Sequence, residues 1–531
     1  MSEQNKAVLT FFSYNAIIKA NLTEAKALNL LINATNDMVT DRLIKYAQPF
    51  DKGTMGSETY RIPAILTLAN GSVMAAADMR YAHGSDSPNN IDTLIAVSDD
   101  GYSPWKYKVV NYFDDYADSY TEKESASFID TALVQTKSGR ILMLTDVWTS
   151  GGGYMTVKKG SGFITIDGKK HLRLTTGKCS DDIDTFRYYV GDFSNGFAPV
   201  VSLDDNNFSG YTVDAEYRIY KNGEPVYMQQ HGSDKQIHQN LFYSDSVLSA
   251  YGTCYLWLRY SDDNGITWSA PLNISESVKR DDEGFLGVGP GRGVTVDVNG
   301  TERIVFCLYD NNGIKGFSEN VCTIYSDDNG LTWKRGETTK HRLAVGKTSE
   351  SQIVNMPDGS LRIYARNAFS YVSYADSNDG GVTWSKFRCD LNLPSNGNCM
   401  VSFINVDKKI NGKSVILGSY ASDQNKRADG VVAVGVINED KSVDWISKYN
   451  VNSGFFAYSC LTQLSDGNIG FLYEDEPAHI SYKILTLSDK GTISEINGKN
   501  QGYTYLPSSA EKIKNSLRNV LVKILSVFNL V

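Results

Sequence analysis

Short stretches in which apolar and polar residues alternate run through most of this 531-residue chain. Examples are YLWLRY, VCTIY and YVSYAD, and clusters of Gly, Asn, Asp and Ser separate such stretches from one another. A period of two residues over a short run, bounded by turn-forming residues, is typical of antiparallel β-strands joined by hairpins. The pattern therefore predicts an all-β protein.

The two ends of the chain have a different pattern. Residues 1–48 contain NLTEAKALNLLIN and MVTDRLIKY, which predict a short helical N-terminal segment. Residues 507–531 begin with SSAE, a capping-box signal, and continue as an amphipathic run whose apolar positions from Ile513 to Phe528 share one face. We expect a C-terminal helix docked on the rest of the protein; a helix that binds a membrane surface or a partner is the alternative.

An eight-residue motif recurs along the chain. The copies SDDNGITW, SDDNGLTW and SNDGGVTW end at Trp268, Trp333 and Trp384, and a degenerate copy, SDDGYSPW, ends at Trp105. In such a motif the Asp and the Ser or Thr hydrogen-bond a tight turn, and the Gly takes a positive φ. The complete copies stand 65 and 51 residues apart, near the length of a four-stranded blade. The repeat predicts a β-propeller, and because its side chains are used in its own turns, it predicts no chemistry.

The stretch of 163 residues between Trp105 and Trp268 is too long for one blade. Within it, FITIDGKKHLRL and YRIYKNGEPVYMQ have hairpin patterns but lack the repeated motif, which predicts an inserted β-rich subdomain. The predicted organisation is a helical segment (1–48), the first part of the propeller (49–152), the inserted subdomain (153–245), the remainder of the propeller (246–506) and the C-terminal helix (507–531).

Composition and charge indicate which partners and which kinds of site are not expected. The formal net charge of −9 argues against nucleic acid as a partner. The seven cysteines are scattered, and none of the six histidines belongs to an HExxH or HxH pattern, so we expect neither a disulfide framework nor a metal ion. The chain has no run of 18 apolar residues, and we expect no transmembrane helix.

Further motifs resemble those of the bacterial sialidases, or neuraminidases, of the glycoside hydrolase family 33 type. They are, in chain order, YRIP (Tyr60–Pro63), FLGVGPG (Phe285–Gly291), FAYS (Phe456–Ser459) and LYE (Leu472–Glu474). The repeated motif resembles the Asp box of that family, and the resemblance extends from about residue 49 to about residue 487. It implies a six-bladed β-propeller from the branch of the family that carries a β-rich insertion in this place.

The resemblance implies an exo-α-sialidase that hydrolyses terminal sialic acid from glycoproteins, glycolipids or oligosaccharides without a cofactor. It also implies a secreted or cell-surface protein. The first twenty residues, MSEQNKAVLTFFSYNAIIKA, have no clear signal-peptide pattern because polar residues interrupt their apolar run, so a cytoplasmic location stays open. The linkage preference and the oligomeric state stay open as well.

Sialic acid carries a carboxylate on its anomeric carbon, and three converging guanidiniums can hold such a group by bidentate hydrogen bonds. By resemblance, these guanidiniums belong to Arg61 of YRIP, Arg366 of LRIYAR and Arg427 of QNKRADG. Glu474, in the apolar segment GFLYE, resembles the carboxylate that orients Arg61. A buried acid at this place needs such a partner.

An anionic nucleophile would be repelled by the carboxylate of this substrate, so a neutral phenol activated by a nearby acid suits the reaction better. By resemblance, Tyr458 in FFAYSC is the nucleophile and Glu350 in GKTSESQ is its base. Because the ordinary pKa of a tyrosine is about 10, attack near neutral pH requires such a base.

In the family, the general acid/base follows a motif that ADMR resembles. In this chain, the corresponding position within DMRYAHGSDS is Asp86. Asp92 is the rival candidate, but we expect it to begin a strand. Arg80 resembles an arginine on the O4 side of the sugar, and Asp130 in SFIDTAL resembles the carboxylate next to it.

One departure from the family bears on the product. The intramolecular trans-sialidases of this branch carry a tryptophan shortly after the glutamate that corresponds to Glu474, whereas this chain reads EDEPAHISYK and has no tryptophan after Trp445. We therefore expect water to be the acceptor, with His479 as the residue that could fill the space of the tryptophan.

Two alternatives to hydrolysis remain. A trans-sialidase or intramolecular trans-sialidase would use the same site with a different acceptor. A non-catalytic propeller that binds sialoglycans would be expected to lose Tyr458, Glu350 or Asp86, and this chain retains all three.

Overall fold

A computed structural model describes residues 49–496, apart from residues 82, 114–124, 178–181, 231–233, 312–318, 340–345 and 478. The predicted helical segment 1–48 and the predicted helix 507–531 lie outside the described residues.

Almost all of the regular secondary structure in the described residues is β-strand. Blade 1 contains β1 (Thr59–Thr67), β2 (Val73–Arg80), β3 (Ile91–Ser98) and β4 (Lys106–Asn111), and a short 3₁₀ helix (Thr54–Gly56) precedes it. Blade 2 begins with β5 (Ser127–Gln135) and β6 (Ile141–Trp148). In both blades, strands that are neighbours along the chain are also neighbours in the sheet, as expected for hairpin-connected strands.

An inserted subdomain follows β6. Its elements are β7 (Phe163–Ile166), β8 (Lys169–Thr176), a 3₁₀ helix (Ile183–Thr185), β9 (Tyr188–Val190), β10 (Phe197–Ser202), β11 (Phe208–Asp214), β12 (Ile219–Lys221), β13 (Glu224–Pro225), β14 (Tyr227–Gln229), β15 (Gln236–His238) and β16 (Leu248–Ala250). The main sheet has the order β13-β12-β11-β10-β9-β8-β16, with β7 paired to β8, and β14 and β15 form a separate hairpin. The last strand, β16, lies beyond residue 245, where the sequence pattern predicts the end of the subdomain.

The chain then returns to the propeller. Strands β17 (Cys254–Ser261) and β18 (Leu272–Asn273) complete blade 2, and helix α1 (Ser275–Val278) leads to blade 3. In blade 3, β22 pairs with β19 and β21, and the short strand β20 instead joins blade 2 in parallel to β5. The strands are β19 (Phe285–Val288), β20 (Gly291–Arg292), β21 (Val294–Val298), β22 (Thr301–Asn311), β23 (Glu319–Ser326) and β24 (Lys334–Arg335).

Blades 4, 5 and 6 are regular four-stranded antiparallel sheets. Blade 4 contains β25 (Thr348–Asn355), β26 (Leu361–Asn367), β27 (Tyr371–Ser377) and β28 (Arg388–Pro394). Blade 5 contains β29 (Ser402–Ile410), β30 (Lys413–Ala421), β31 (Gly430–Ile437) and β32 (Val443–Asn450). Blade 6 contains β33 (Ser459–Gln463), β34 (Ile469–Glu476), β35 (His479–Leu487) and β36 (Ile493–Glu495).

The six sheets form a closed six-bladed β-propeller, as predicted. The first strand of blade 1 contacts the first strands of both blade 2 and blade 6, so the ring closes. Every residue of β2 and β31 is buried because these strands pack between neighbouring blades, whereas the outermost strand β32 alternates between partly and fully exposed residues. Side chains that leave the ends of the first strands therefore converge on the centre of the ring.

The repeated motif forms tight turns between the last two strands of a blade. In the first complete copy, Asp263 accepts hydrogen bonds from the backbone and the hydroxyl of Thr267, and Gly265 has a φ of 88°. The indole of Trp268 donates to the carbonyl of Gly265 at 3.2 Å. The side chains of this motif are thus used within the turn itself.

The inserted subdomain shares a core with blade 2. Phe128 and Trp257 of blade 2 pack with Phe242 of the insertion. The ring centroid of Trp257 lies 5.4 Å from that of Phe128 and 5.1 Å from that of Phe242. At the edge of this core, the buried Arg259 of β17 forms a bidentate ion pair with Glu216 of the insertion, at 2.9 and 2.6 Å. Because burying one large aromatic side chain contributes about 2 kcal/mol, the shared core holds the insertion firmly against the propeller.

Candidate active site

A tyrosine and a glutamate from different blades meet at the centre of the propeller. Tyr458 immediately precedes β33, and Glu350 lies in β25. The phenol oxygen of Tyr458 lies 2.5 and 2.6 Å from the two carboxylate oxygens of Glu350, and both side chains are buried. Burial raises the pKa of the Tyr458 phenol well above its usual value. The phenol is therefore protonated in the free protein, and Glu350 is placed to accept its proton.

Arg366 joins this pair from the neighbouring strand β26. Its Nη1 atom lies 2.8 Å from Oε2 of Glu350 and 2.7 Å from the phenol oxygen of Tyr458. The guanidinium thus neutralises Glu350 and lowers the energy of any negative charge that develops on the phenol.

Arg61 lies on the other side of the same tyrosine. Its Nε and Nη2 atoms lie 3.3 and 3.4 Å from the two carboxylate oxygens of the buried Glu474, and its guanidinium stands 5.4 Å from the centroid of the Tyr458 ring. Glu474 also accepts a hydrogen bond from the backbone N–H of Ile62 at 2.8 Å. Glu474 therefore fixes both the side chain and the local backbone of the YRIP segment.

A third guanidinium, that of Arg427, stands 5.1 Å from the centroid of the Tyr458 ring. Its Nη2 atom donates to the backbone carbonyl of Asn398 at 3.1 Å. The amide oxygen of Asn398 accepts hydrogen bonds from Nε and Nη2 of Arg366, at 3.1 and 2.7 Å. Asn398, which the sequence does not single out, therefore connects two of the three arginines.

The loop between β2 and β3 carries Asp86 to the rim of this cluster. Oδ1 of Asp86 lies 2.8 Å from Nη1 of Arg80 and 3.5 Å from Nη1 of Arg61, and 64% of its side chain is exposed. Partial burial would raise the pKa of Asp86, but the nearby guanidiniums outweigh this effect and lower the pKa below its usual value. Asp92 is instead buried in β3, where it accepts a hydrogen bond from the hydroxyl of Tyr81 at 2.8 Å.

Three of these residues stand at irregularities in the first strand of a blade. The register shifts after Arg61 in β1, around Asp130 in β5 and around Glu350 in β25. Ile62 has a φ of 60°, which is costly for a β-branched side chain, and Asp130 has a φ of 63°, which an aspartate tolerates more easily. A bulge turns a side chain away from the regular alternation of a strand. The irregularities thus direct side chains into the centre of the propeller.

Comparisons with known proteins show the family to which the chain belongs. A family model described as a BNR repeat-like domain matches residues 199–471. A solved structure of an intramolecular trans-sialidase from Ruminococcus gnavus is 33% identical, with a TM-score of 0.75, and the match covers 84% of this chain and 98% of that one. This chain belongs to the sialidase family.

Two curated sialidase relatives are longer than the matched region. The Anhydrosialidase of Macrobdella decora is 34% identical over 84% of this chain and 62% of its own length. Sialidase B of Streptococcus pneumoniae is 30% identical over 78% of this chain and 61% of its own length. The chain therefore spans about three fifths of the length of these two relatives.

Beside Tyr458, this sialidase-family site contains a second group of charged side chains, which consists of an arginine and two aspartates. Arg80 is fully buried, and its Nη2 atom lies 2.8 Å from Oδ2 of Asp78, a residue that the sequence does not single out. Oδ1 of Asp78 accepts a hydrogen bond from the backbone N–H of Asp130 at 3.2 Å. Burial raises the pKa of Asp130 well above its usual value, and the carboxylates of Glu350 and Asp146 raise it further. Asp130 therefore keeps its proton to a higher pH than an ordinary carboxyl group does.

The inserted subdomain touches the site through its first turn. Gly153 lies so close to the loop with Asp86 that a Cβ atom at this position would stand 2.0 Å from the carbonyl oxygen of Ser87. In the next residue, the hydroxyl of Tyr154 donates to Glu319 at 2.8 Å, and its ring packs edge-on against Phe285.

His479 lies at the beginning of β35. Its Nε2 atom lies 3.0 Å from Oδ1 of Asp475, and hydrogen bonding to that carboxylate raises the pKa of the imidazole. Glu476, at the end of β34, pairs with His479 at the beginning of β35. His479 is therefore held at this end of blade 6 by its contact with Asp475.

Among the residues that the structure describes, no group of three or more His, Cys, Asp or Glu side chains is arranged to hold a metal ion. In the same part of the chain, no helix has the length and apolarity that crossing a bilayer requires.

Proposed function

We propose that this protein is a retaining exo-α-sialidase that removes terminal sialic acid from glycoproteins, glycolipids or oligosaccharides. The observation that carries the proposal is the contact between Tyr458 and Glu350, 2.5 and 2.6 Å long, next to three guanidiniums. A nucleophile paired with a base, beside cations that can hold a carboxylate, is the arrangement that this substrate requires.

In the proposed complex, the carboxylate of sialic acid binds to Arg61, Arg366 and Arg427. Arg61 and Arg366 are each paired with one glutamate, whereas Arg427 forms no ion pair with any described residue. Arg427 therefore offers the substrate a positive charge that no described carboxylate pairs with, and the neutral amide of Asn398 orients Arg366 without adding a negative charge.

In the first chemical step, Glu350 accepts the proton of the Tyr458 phenol while the phenol oxygen forms a bond to C2 of the sugar. The bond between C2 and the glycosidic oxygen breaks, and Asp86 donates a proton to that oxygen. The nearby Arg366 stabilises the charge that passes through the phenol oxygen, from which it is 2.7 Å away.

Asp86 must be protonated for this step, although two arginines hold it as a carboxylate in the free protein. The carboxylate of the bound substrate competes with Asp86 for Arg61. Loss of that contact raises the pKa of Asp86, so that substrate binding itself favours the acid form of the residue.

In the second step, Asp86 takes a proton from water, and the water oxygen bonds to C2 as the bond to Tyr458 breaks. Glu350 returns its proton to the phenol. Two displacements at one carbon give α-sialic acid with retained configuration. Asp130 and the guanidinium of Arg80 can hold a hydroxyl of the sugar, which family resemblance identifies as O4.

Intramolecular transfer is the second candidate function. The relatives from Macrobdella decora and Ruminococcus gnavus are named for anhydrosialidase and intramolecular trans-sialidase activity, which favours transfer. The sequence of this chain has no tryptophan after Trp445, and therefore none after Glu474, which favours water as the acceptor. We propose hydrolysis on this ground.

Release of lactose from sialyllactose by the purified protein tests the proposal. The wild type should release lactose and sialic acid, and the Tyr458→Phe variant should release neither at a comparable rate. A folded wild-type protein that leaves sialyllactose intact would exclude the proposal.

A further inference from the structure

A groove runs between blade 1 and the inserted subdomain, apart from the site described above. It consists of two adjoining cavities of about 320 and 470 Å³ that share Val109, Tyr112, Phe113 and His238 in their walls. Volumes of this size are typical of small-molecule sites. The propeller contributes one wall of the groove and the insertion contributes the other.

One end of the groove lies at the base of the loop that carries Asp86. Tyr81 and Asp92 line this end; Tyr81 directly follows Arg80, and the two side chains are hydrogen-bonded to each other. In the proposed reaction, Asp86 protonates the oxygen that joins sialic acid to the rest of the glycan. The groove therefore begins beside the segment that carries the proposed acid for the leaving group.

The walls of the groove combine exposed aromatic rings with fixed polar groups. Tyr112 and Tyr227 are 54% and 57% exposed, so both rings are accessible to a ligand in the groove. In the cavity of about 320 Å³, Glu216 is held by its ion pair with Arg259. The guanidinium of Arg218 donates a hydrogen bond to Asp214 at 2.8 Å. Cationic and anionic side chains both line the walls, so the groove does not select strongly for a charged ligand.

Neutral sugars have the complementary chemistry. A pyranose ring offers an apolar face of C–H groups that packs on aromatic rings, and its hydroxyls pair with carboxylates and guanidiniums. We propose that this groove is a subsite for the neutral sugar residues that follow the terminal sialic acid in an oligosaccharide. The inference rests on the proposed function, and it assigns to the insertion a role in choosing among sialylated glycans.

The test compares two substrates in matched variants. In the Tyr112→Ala/Tyr227→Ala double variant, kcat/KM for a sialylated pentasaccharide should fall about tenfold, a loss expected when aromatic anchors are removed from a binding surface. For 4-methylumbelliferyl sialoside, which has no further sugar, kcat/KM should stay unchanged. Phe208→Ala serves as the control, because Phe208 is equally exposed at 57% on the same subdomain but is not part of the groove.

A binding measurement separates this inference from the proposed function. The same pentasaccharide without its sialic acid should give saturation-transfer NMR signals with the wild type and with Phe208→Ala, and the signals should be lost in the double variant. Such signals would support the subsite even for a protein that cleaves no sialoside. Absence of binding to the wild type, or equal binding to the double variant, would overturn the subsite.

Discussion

Gly153 packs directly on the backbone of Ser87, the residue after Asp86. A Cβ atom at position 153 would stand 2.0 Å from the carbonyl oxygen of Ser87 and 2.6 Å from the nitrogen of Pro88. The hydroxyl of Ser87 is in turn hydrogen-bonded to that of Ser127 in β5 at 2.7 Å. The first turn of the insertion and the first strand of blade 2 therefore both support the loop that carries Asp86.

Gly153→Ala should displace this loop and impair protonation of the leaving group. We expect kcat/KM for sialyllactose to fall about tenfold or more, with a smaller loss for 4-methylumbelliferyl sialoside, whose leaving group needs less help from an acid. Gly191→Ala is the control, because its Cβ would meet only Pro199 within the insertion. Equal losses on both substrates in Gly153→Ala would indicate a general structural defect instead.

Removal of the Tyr458 hydroxyl should abolish the covalent step. Tyr458→Phe should lower turnover at least about a thousandfold, since no other group stands in its place as nucleophile, while thermal melting stays close to that of the wild type. A fluorinated sialosyl donor should label Tyr458 in the wild type, and peptide mass spectrometry identifies the modified residue. A label on Glu350 would reverse the assigned roles.

Asn398→Asp should weaken binding of the substrate carboxylate. The substitution keeps the size of the side chain but adds a negative charge beside Arg366, so KM should rise about tenfold with a smaller change in kcat. Asn411→Asp is the control: Asn411 lies in an exposed hairpin turn of blade 5, with a φ of 49° that Asp also tolerates. An unchanged KM in Asn398→Asp would mean that Asn398 does not influence the arginine cluster.

The pairing of Asp86 with Arg80 and Arg61 predicts two different pH profiles. The lowered pKa of Asp86 in the free protein means that its acid form, and with it kcat/KM, is lost as pH rises through that low pKa. In the complex the substrate takes over Arg61, so the pKa of Asp86 rises and kcat should persist to higher pH than kcat/KM. Steady-state kinetics between pH 4 and 8, about the range in which a shifted carboxyl titrates, provide the comparison. Superimposed profiles would contradict displacement of Asp86 from Arg61.

The sequence motifs were sufficient to predict the propeller, because the side chains of each Asp box stabilise the turn in which they lie. The spacing of those turns predicts the length of the blades. Residues such as Arg61 and Tyr458 belong to short motifs that can be recognised without knowing which residues surround them in space. The β-bulges that turn Ile62 and Asp130 into a positive φ leave no comparable mark on the sequence.

Contacts between distant segments are the part that the sequence does not predict. Asn398 lies on a loop after blade 4 and reaches Arg366 only because the strands of that blade converge on the centre. Gly153 meets Ser87 through the docking of the whole insertion, which depends on the shared core around Trp257. Such contacts follow from the register and packing of complete sheets rather than from local patterns.

The most direct test of the account is proton NMR of the products formed early from sialyllactose. Hydrolysis through a sialosyl-tyrosine intermediate should give lactose together with free α-sialic acid of retained configuration, which mutarotates only afterwards. Failure to release lactose would contradict sialidase activity itself. A dominant 2,7-anhydro or 2,3-unsaturated product would contradict attack by water and would show that this chain, without a tryptophan after Glu474, still directs the intermediate away from hydrolysis.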